Sequence, residues 1–528
     1  MVTTENLIRS GYLPVELTPP FSTVTLADAL PVITPELNNL KSSSKSKCCV
    51  YSIPRVKHTR RLLSIPNPRH QIILCQTLEN NWAELEEFFS KSKLSLSTPD
   101  TIRGADKRAV VPKYKFDQLP AESVLRSTAC RIRLHADISR YYSTIYTHAI
   151  PWALHSKPVA KKCRKDEYYG NTIDKCVRNT QDQQTLGIPI GPDTSLIISE
   201  IIGTAMDIKL SEKLSANDIK GYRYMDDYFL FFSNFAQAEQ AISKLHSVAK
   251  YYELELNPNK TELIELPESS FRPWVSELRL HEFRHSSNQG QRNDILNYFD
   301  KSFNYSKQYP DDFVLKYSLK RINELNVKYR NWPLYEAFLL KSVILEPSVL
   351  PTVFKILISY SNNGYDLNIS SISDTISEII TYHSELKHSY EVSWALWLGK
   401  NLNISLNKEA ATEISKFEDS IVALTALDLK SSELISEGLD TSKWEAFMTA
   451  EDLYSDHWIL SYEANVKGWL PSSNGEDYVD DDPFFSILKE AGVSFYNITE
   501  KETSETLGVE CGISAFDSDE YAAWLDMT

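Results

Sequence analysis

The chain has 528 residues, 42% hydrophobic and 24% charged, with a formal net charge of −15. That length supports large cores and about two to four domains, and the acidic balance argues against nonspecific nucleic-acid affinity over the whole surface. No apolar run of about 18 residues occurs, so no transmembrane helix is expected, and "MVTTENLIRSGYLPVELTPPF" lacks the basic-then-apolar order of a signal peptide.

Cysteines are odd in number and scattered (Cys48, Cys49, Cys75, Cys130, Cys163, Cys176, Cys511), with no C-x-x-C pair. Neither a zinc site nor a disulfide framework is expected, and a reducing, cytoplasmic setting with no membrane is the default. Charge is uneven along the chain. "KSSSKSK", "RVKHTRR", "RGADKR", "RIR" and "KKCRK" fall in the first third, whereas "EDYVDDD" and "DSDEY" lie near the end.

In chain order, residues 1 to about 60 read as mixed and largely loop, with "TPPFSTVT" and "SSSKSKCC". Residues 74–93 carry apolar residues at helical spacing, and "AVVPKYKFDQLP" reads as strand and loop. "RIRLHADIS" alternates Ile132, Leu134 and Ala136 with polar neighbours, as a half-buried strand does, and leads into a turn and helix. A strong helix, 194–214, has Ser195 near its start. Next comes "GYRYMDDYFLFF" (221–232), whose aromatic and aliphatic flanks read as a hairpin around two acids. An amphipathic helix, 235–256, runs into a strand at "ELEL". Beyond about residue 285, helix-sized segments follow one another, and Trp394 and Trp397 in "VSWALW" read as packing residues.

The chemistry concentrates on two places. Asp137 ends a strand, and Asp226 and Asp227 sit at a hairpin tip. Carboxylates from neighbouring strands converge readily on hard cations, and a pair of such ions clamps the attacking and leaving oxygens of phosphoryl transfer.

The motifs resemble those of reverse transcriptases. "YMDD" (224–227) is similar to the family signature, "DISRYY" (137–142) to its first palm motif, "LGIPIGPDTSLIISEI" (186–201) to the Gly-x-Pro-x-Gly loop entering a helix, and "LNPNKTELI" (256–264) to a later lysine motif. "SIPNPRHQIILCQTLENNW" resembles the fingers entry of bacterial members. "YTHAIPWALHSK", "IPIGPDTS" and "YEVSWALWLGK" resemble prokaryotic enzymes of the abortive-infection, defence-associated type, which carry a C-terminal helical repeat domain.

The resemblance implies an α+β right-hand polymerase, fingers and palm, followed by an all-α, HEAT-like helical-repeat domain. It implies an N-terminal segment and fingers over 1–120, a palm over 121–285, helical repeats over 286–470 and an acidic C-terminal segment over 471–528. Asp137, Asp226 and Asp227 would be catalytic and ligate two Mg²⁺ ions, with Mn²⁺ able to substitute. Lys260 would approach the triphosphate, Tyr142 would lie under the sugar and reject rNTPs, and Pro189 and Gly191 would shape the nucleotide pocket. Ile190 stands where most of the family has glutamine, which alters template handling. Arg103, Lys107, Arg108 and Arg126 are candidate phosphate contacts from the fingers.

The function implied is RNA-directed, or template-independent, synthesis of cDNA in antiviral (anti-phage) defence. Partners would be dNTPs, an RNA template or noncoding RNA, a DNA product joined to a tyrosine in some relatives, and further copies of the chain. Tyr12, Tyr51, Tyr478, Tyr496 and Tyr521 lie in segments expected to be mobile enough for priming. Two other readings compete: a catalytically silent polymerase fold acting as a scaffold through its helical domain, and an RNA polymerase with the same palm, against which Tyr142 speaks.

Overall fold

A computed structural model describes residues 2–500, except 41–44, 57–58, 102–107, 164–167, 215–218, 270–271, 473–474 and 476. Strands β1 (Cys49–Pro54) and β2 (Arg60–Ile65) form an antiparallel hairpin, and β3 (Pro99–Thr101) pairs with β4 (Val110–Pro112). The central sheet contains β5 (Ile132–Asp137), β6 (Gly221–Tyr224), β7 (Asp227–Phe232) and β8 (Glu262–Glu265), in the order β6-β7-β5-β8, with antiparallel neighbours throughout.

Alternation assigns the two faces of this sheet. Leu134, Ala136, Tyr228 and Leu230 are buried on the back, where helices Asp193–Leu214 and Phe235–Tyr251 cover them. Arg133, His135 and Asp137 point to the front, opposite Phe231, Phe229 and Asp227. A period of two therefore separates a packing face from a chemical face on the same strands. Helix Asp193–Leu214 is buried around nearly all of its first four turns, its acids and hydroxyls included, so those polar groups must find partners within the chain.

Three local expectations change. The N-terminal residues are not mainly loop. Helix Val24–Asn39 runs through Pro31 and Pro35, because Leu26, Leu30, Ile33 and Leu37 recur at helical spacing and are all buried. The helix expected over 74–93 is two helices, Pro68–Asn80 and Trp82–Phe89, broken at Asn81, whose side chain donates back to the Thr77 carbonyl. The strand expected at "ELEL" is absent. Glu253 adopts a left-handed conformation (φ 63°) that stops the preceding helix, and only Leu256 bridges Ile138. Pairing with β5 resumes later, at β8.

Beyond residue 273 the described chain is helical, and its helices stack in two layers. Helices Asn288–Gln308, Trp332–Leu345, Ile369–Glu385 and Lys408–Ser415 follow one another in one layer. Helices Val314–Arg321, Leu350–Asn362, Ser389–Asn401, Ser420–Ser431 and Trp458–Val466 follow one another in the other. The array is bolted to the first hairpin. Arg60 pairs with the buried Glu391, the Tyr51 hydroxyl lies 2.9 Å from Ser393 Oγ, and the Trp458 indole donates to the Ile65 carbonyl at 3.0 Å. Trp394 and Trp397 pack inside it as expected, at 5% and 0% exposure. The chain then returns to its start: Ser22 donates to the Phe495 carbonyl, and the Phe21 and Tyr496 rings meet edge to face at 5.0 Å. Among the described residues no helix is long and apolar enough to cross a membrane.

Candidate active site

β5 ends on Asp137, which stands directly opposite Asp227, the first residue of β7. Between β6 and β7 lie only Met225 and Asp226, and the Asp226 carbonyl accepts from the Ile138 amide at 3.2 Å. The three acids thus converge because of one strand register and one two-residue turn. They line a cleft of ≈ 2760 Å³, whose walls include the first hairpin and, on the helical array, Lys316, Lys320 and Lys355.

Burial, then the charges of Asp227 and Asp137, pushes the Asp226 carboxyl from 3.8 to about 8. Burial and then Asp227 also raise Asp137, against the opposing pull of a hydrogen bond from Asn257 and the charge of Lys260. Lys260 Nζ stands 3.7 Å from Asp137 Oδ2. His135 Nε2 lies 2.8 Å from Asp227 Oδ1, and its ring stacks on Phe229 at 4.6 Å. Carboxylates brought together from two strands and a turn repel one another, and oxygen donors crowded in this way fit a hard divalent cation. Asp137, Asp226 and Asp227 are the residues that would hold it.

The nucleotide-pocket candidates gather beside them and line the same cleft. Arg140 takes a left-handed turn (φ 46°) just after β5 and starts the short helix Tyr141–Thr144, which carries Tyr142. The Tyr142 carbonyl accepts from the Ile188 amide at 2.9 Å, and its hydroxyl accepts from Ser199 at 3.3 Å, so the ring is fastened at both ends. Ser195 Oγ donates to the Pro189 carbonyl, and the Ser64 amide of β2 donates to the Ile190 carbonyl at 2.7 Å. Gly191 has φ 132°, and a Cβ there would lie 2.8 Å from Pro14 Cγ, so the loop needs glycine at this point.

Other candidates stand elsewhere. Arg108 lines the cleft but is spent on structure: it donates to the Gly191 carbonyl at 2.9 Å and pairs with the buried Asp193 at 3.0 Å. Arg126 binds Glu122 and the Gly221 carbonyl. Arg103 and Lys107 lie outside the described residues. Tyr12, Tyr51, Tyr478 and Tyr496 are packed in the core rather than presented in open segments, at 0%, 0%, 7% and 1% exposure; Tyr521 lies outside the described residues. The motif reading passed over His135, Asn257, Arg55 and Arg61, all of which line the cleft or its carboxylates. The alternation of β5 placed His135 on the same face as Asp137, and "RVKHTRR" carried both arginines.

A four-stranded antiparallel sheet with three acids at the junction of two strands, two helices behind and a wide cleft in front defines a palm-type polymerase. Residues 57–301 match the family model described as "Reverse transcriptase (RNA-dependent DNA polymerase)". The chain therefore carries a reverse transcriptase domain and is an enzyme of the RNA-directed DNA polymerase class, whose members use divalent metal ions. No curated protein sequence matches it. Among solved structures, apo telomerase from Candida tropicalis is similar at 11% identity, over 74% of this chain and 76% of that one, with a TM-score of 0.33. Telomerase from Candida albicans, in complex with a TWJ fragment of telomeric RNA, is similar at 11% identity, over 80% and 72%, with a TM-score of 0.30. The superpositions are loose, and the assignment stands on the palm of this chain and its family match.

Proposed function

We propose that the protein synthesises cDNA from dNTPs in antiviral defence, on an RNA template, on a dedicated noncoding RNA, or without a template. The carrying observation is the convergence of Asp137, Asp226 and Asp227 in one cleft with Tyr142, the Pro189–Gly191 loop and Lys260. In this reading the three acids hold two divalent ions, Mg²⁺ or Mn²⁺. Bound there, the ions supply Lewis-acid stabilisation of the attacking and leaving oxygens. Tyr142 crowds the 2′ position of the incoming sugar, the group that separates RNA from DNA units. Lys260 offers positive charge or a proton near the leaving phosphate. Ile190 presents an apolar surface to the templating side, where a glutamine would present hydrogen-bonding groups.

The two-layer stacking supports naming the helical region HEAT-like, while the domain boundaries near residues 120, 285 and 470 rest on the resemblance, the first of them falling inside helix Leu119–Arg126. Priming from a tyrosine requires one other than the four buried candidates. The defence role rests on the resemblance to abortive-infection enzymes, self-association on that resemblance and the uneven charge along the chain, and a cytoplasmic location on the scattered cysteines. The scaffold reading is disfavoured because the complete acidic set is retained in an open cleft.

The test is direct. The purified protein, with Mg²⁺ and each labelled dNTP or rNTP, should incorporate dNTPs, and an Asp226→Ala, Asp227→Ala double variant should not. Equal incorporation by both would refute the site. Sequencing the product identifies the template. Label that survives denaturation on the protein and is released by protease identifies protein priming.

A further inference from the structure

Behind the hairpin that carries Asp226 lies a buried ionic cluster that none of these roles uses. Arg223 on β6 and Glu200 and Asp207 on helix Asp193–Leu214 are each 1% exposed. Arg223 Nη2 donates to Glu200 Oε1 at 2.7 Å and Nη1 to Oε2 at 3.0 Å, while Nε lies 3.0 Å from both oxygens of Asp207. Tyr228 and Ser92 hydroxyls donate to Asp207, and Ser95 and Ser97 hydroxyls donate to Glu200. The helix makes room for the guanidinium: a Cβ on Gly203 would stand 2.6 Å from Arg223 Cζ. Glycine weakens a helix interior relative to alanine. The helix thus tolerates a poor residue at the one point where the arginine approaches.

Two hydrogen bonds leave this cluster and clamp the turn. Arg223 Nη1 donates to the Met225 carbonyl at 2.9 Å, and the Met225 amide donates to Ser97 Oγ at 2.9 Å. Met225 has φ 51°, the left-handed region that glycine enters freely and residues with a Cβ avoid. Methionine is held in a glycine's conformation by bonds on both sides of it, and the next residue is Asp226. A buried ion pair is weak evidence for stability, and fixing a single geometry is the use such pairs serve best.

We propose that Arg223, with Ser97, Glu200, Asp207 and Gly203, is a positioning device that locks the Met225–Asp226 turn and so aims the Asp226 carboxylate into the cleft. The proposal rests on the polymerase reading of that cleft. It predicts that loosening the clamp weakens cation binding and turnover while leaving nucleotide binding intact, because the nucleotide pocket hangs on other elements.

Arg223→Met would leave two acids unpaired, so the decisive variants are Ser97→Ala, which removes one hydroxyl, and Gly203→Ala, which presses a Cβ against the guanidinium, with thermal unfolding to separate loss of fold from loss of positioning. In each, kcat for dNTP incorporation should fall about tenfold while KM for dNTP stays within about twofold. Mn²⁺ affinity, measured by calorimetry without nucleotide, should weaken several-fold. In a Met225→Gly background, where the left-handed turn no longer needs holding, Ser97→Ala should cost less than about threefold in kcat. Active parent protein with unchanged kcat and Mn²⁺ affinity in both variants, or an equal Ser97→Ala loss in both backgrounds, would overturn the device alone. Parent protein without incorporation would sink the polymerase reading and the device with it.

Discussion

The two sides of the β6–β7 hairpin both carry buried acids, and the protein treats them in opposite ways. Behind the sheet, Glu200 and Asp207 share Arg223 and five hydroxyl donors, so their charge is answered from within the chain. In front, Asp137, Asp226 and Asp227 crowd into a cleft, with Lys260 3.7 Å from Asp137, and Asp226 is still held at about 8 by desolvation and its acidic neighbours. Completing buried charge yields a rigid support. Leaving it incomplete costs stability and creates a place for an entering cation. The same hairpin thus separates the part that must not move from the part that must bind.

The sharpest way to break this comparison is to neutralise one acid on each side. Asp226→Asn should abolish most turnover, on the order of 10³-fold or more for loss of a cation ligand. Its melting temperature should hold or rise, because on folding the parent carboxyl must take up a proton or carry a repelled charge, and the amide does neither. A stability loss would mean that Asp226 is a structural acid like those behind it. Arg223→Met should do the reverse in kind, destabilising by about 3–5 kcal/mol in denaturant titration because two carboxylates lose their partner. Adding Glu200→Gln and Asp207→Asn should recover much of that loss, since the triple variant buries no net charge.

A smaller effect concerns the pocket beside the acids. Tyr142→Ala should admit rNTPs, shifting dNTP-to-rNTP preference by about ten- to a hundredfold, read as kcat/KM for each. An unchanged ratio would remove Tyr142 from the gate.

The smallest effect tests a third acid, Asp174, whose compensation is intermediate. Burial pushes it up, but His148, 2.7 Å away, and Arg178 outweigh that and hold it below its usual 3.8. A lowered folded value means that its contribution to stability is present above 3.8 and is lost as pH falls through the folded value. The stability gap between parent and Asp174→Asn should therefore be full near neutrality and close progressively in acid below about pH 4. A gap that does not change with pH would assign it to packing.

Much of the palm was legible in the chain itself. The alternation in "RIRLHADIS" and the doublet in "YMDD" identified the strand-end acid and the hairpin tip, because a period of two and a tight turn are local properties. The proline-bearing helix Val24–Asn39 was obscured for the converse reason: its stability comes from a buried stripe, and its local residues oppose it. The buried tyrosines were misread because an irregular sequence pattern says nothing about which distant segment covers it; here residues 484–496 return onto the N-terminus. "SLIISEIIGTAMD" held a visible clue, two acids and a glycine on one side of an apolar helix, but their partner lay on a strand sixteen or more residues away.

By itself the sequence determined which residues are acidic, which alternate and where the turns fall, because these follow from side-chain chemistry and backbone preference over a few neighbours. Only the tertiary structure decided which acids are enclosed around an arginine behind the sheet and which face the cleft. Charge compensation depends on distances of about 3–4 Å between side chains brought together from separate elements. That same closeness placed Lys316, Lys320 and Lys355 of the helical array on the rim of a palm that precedes them in the chain.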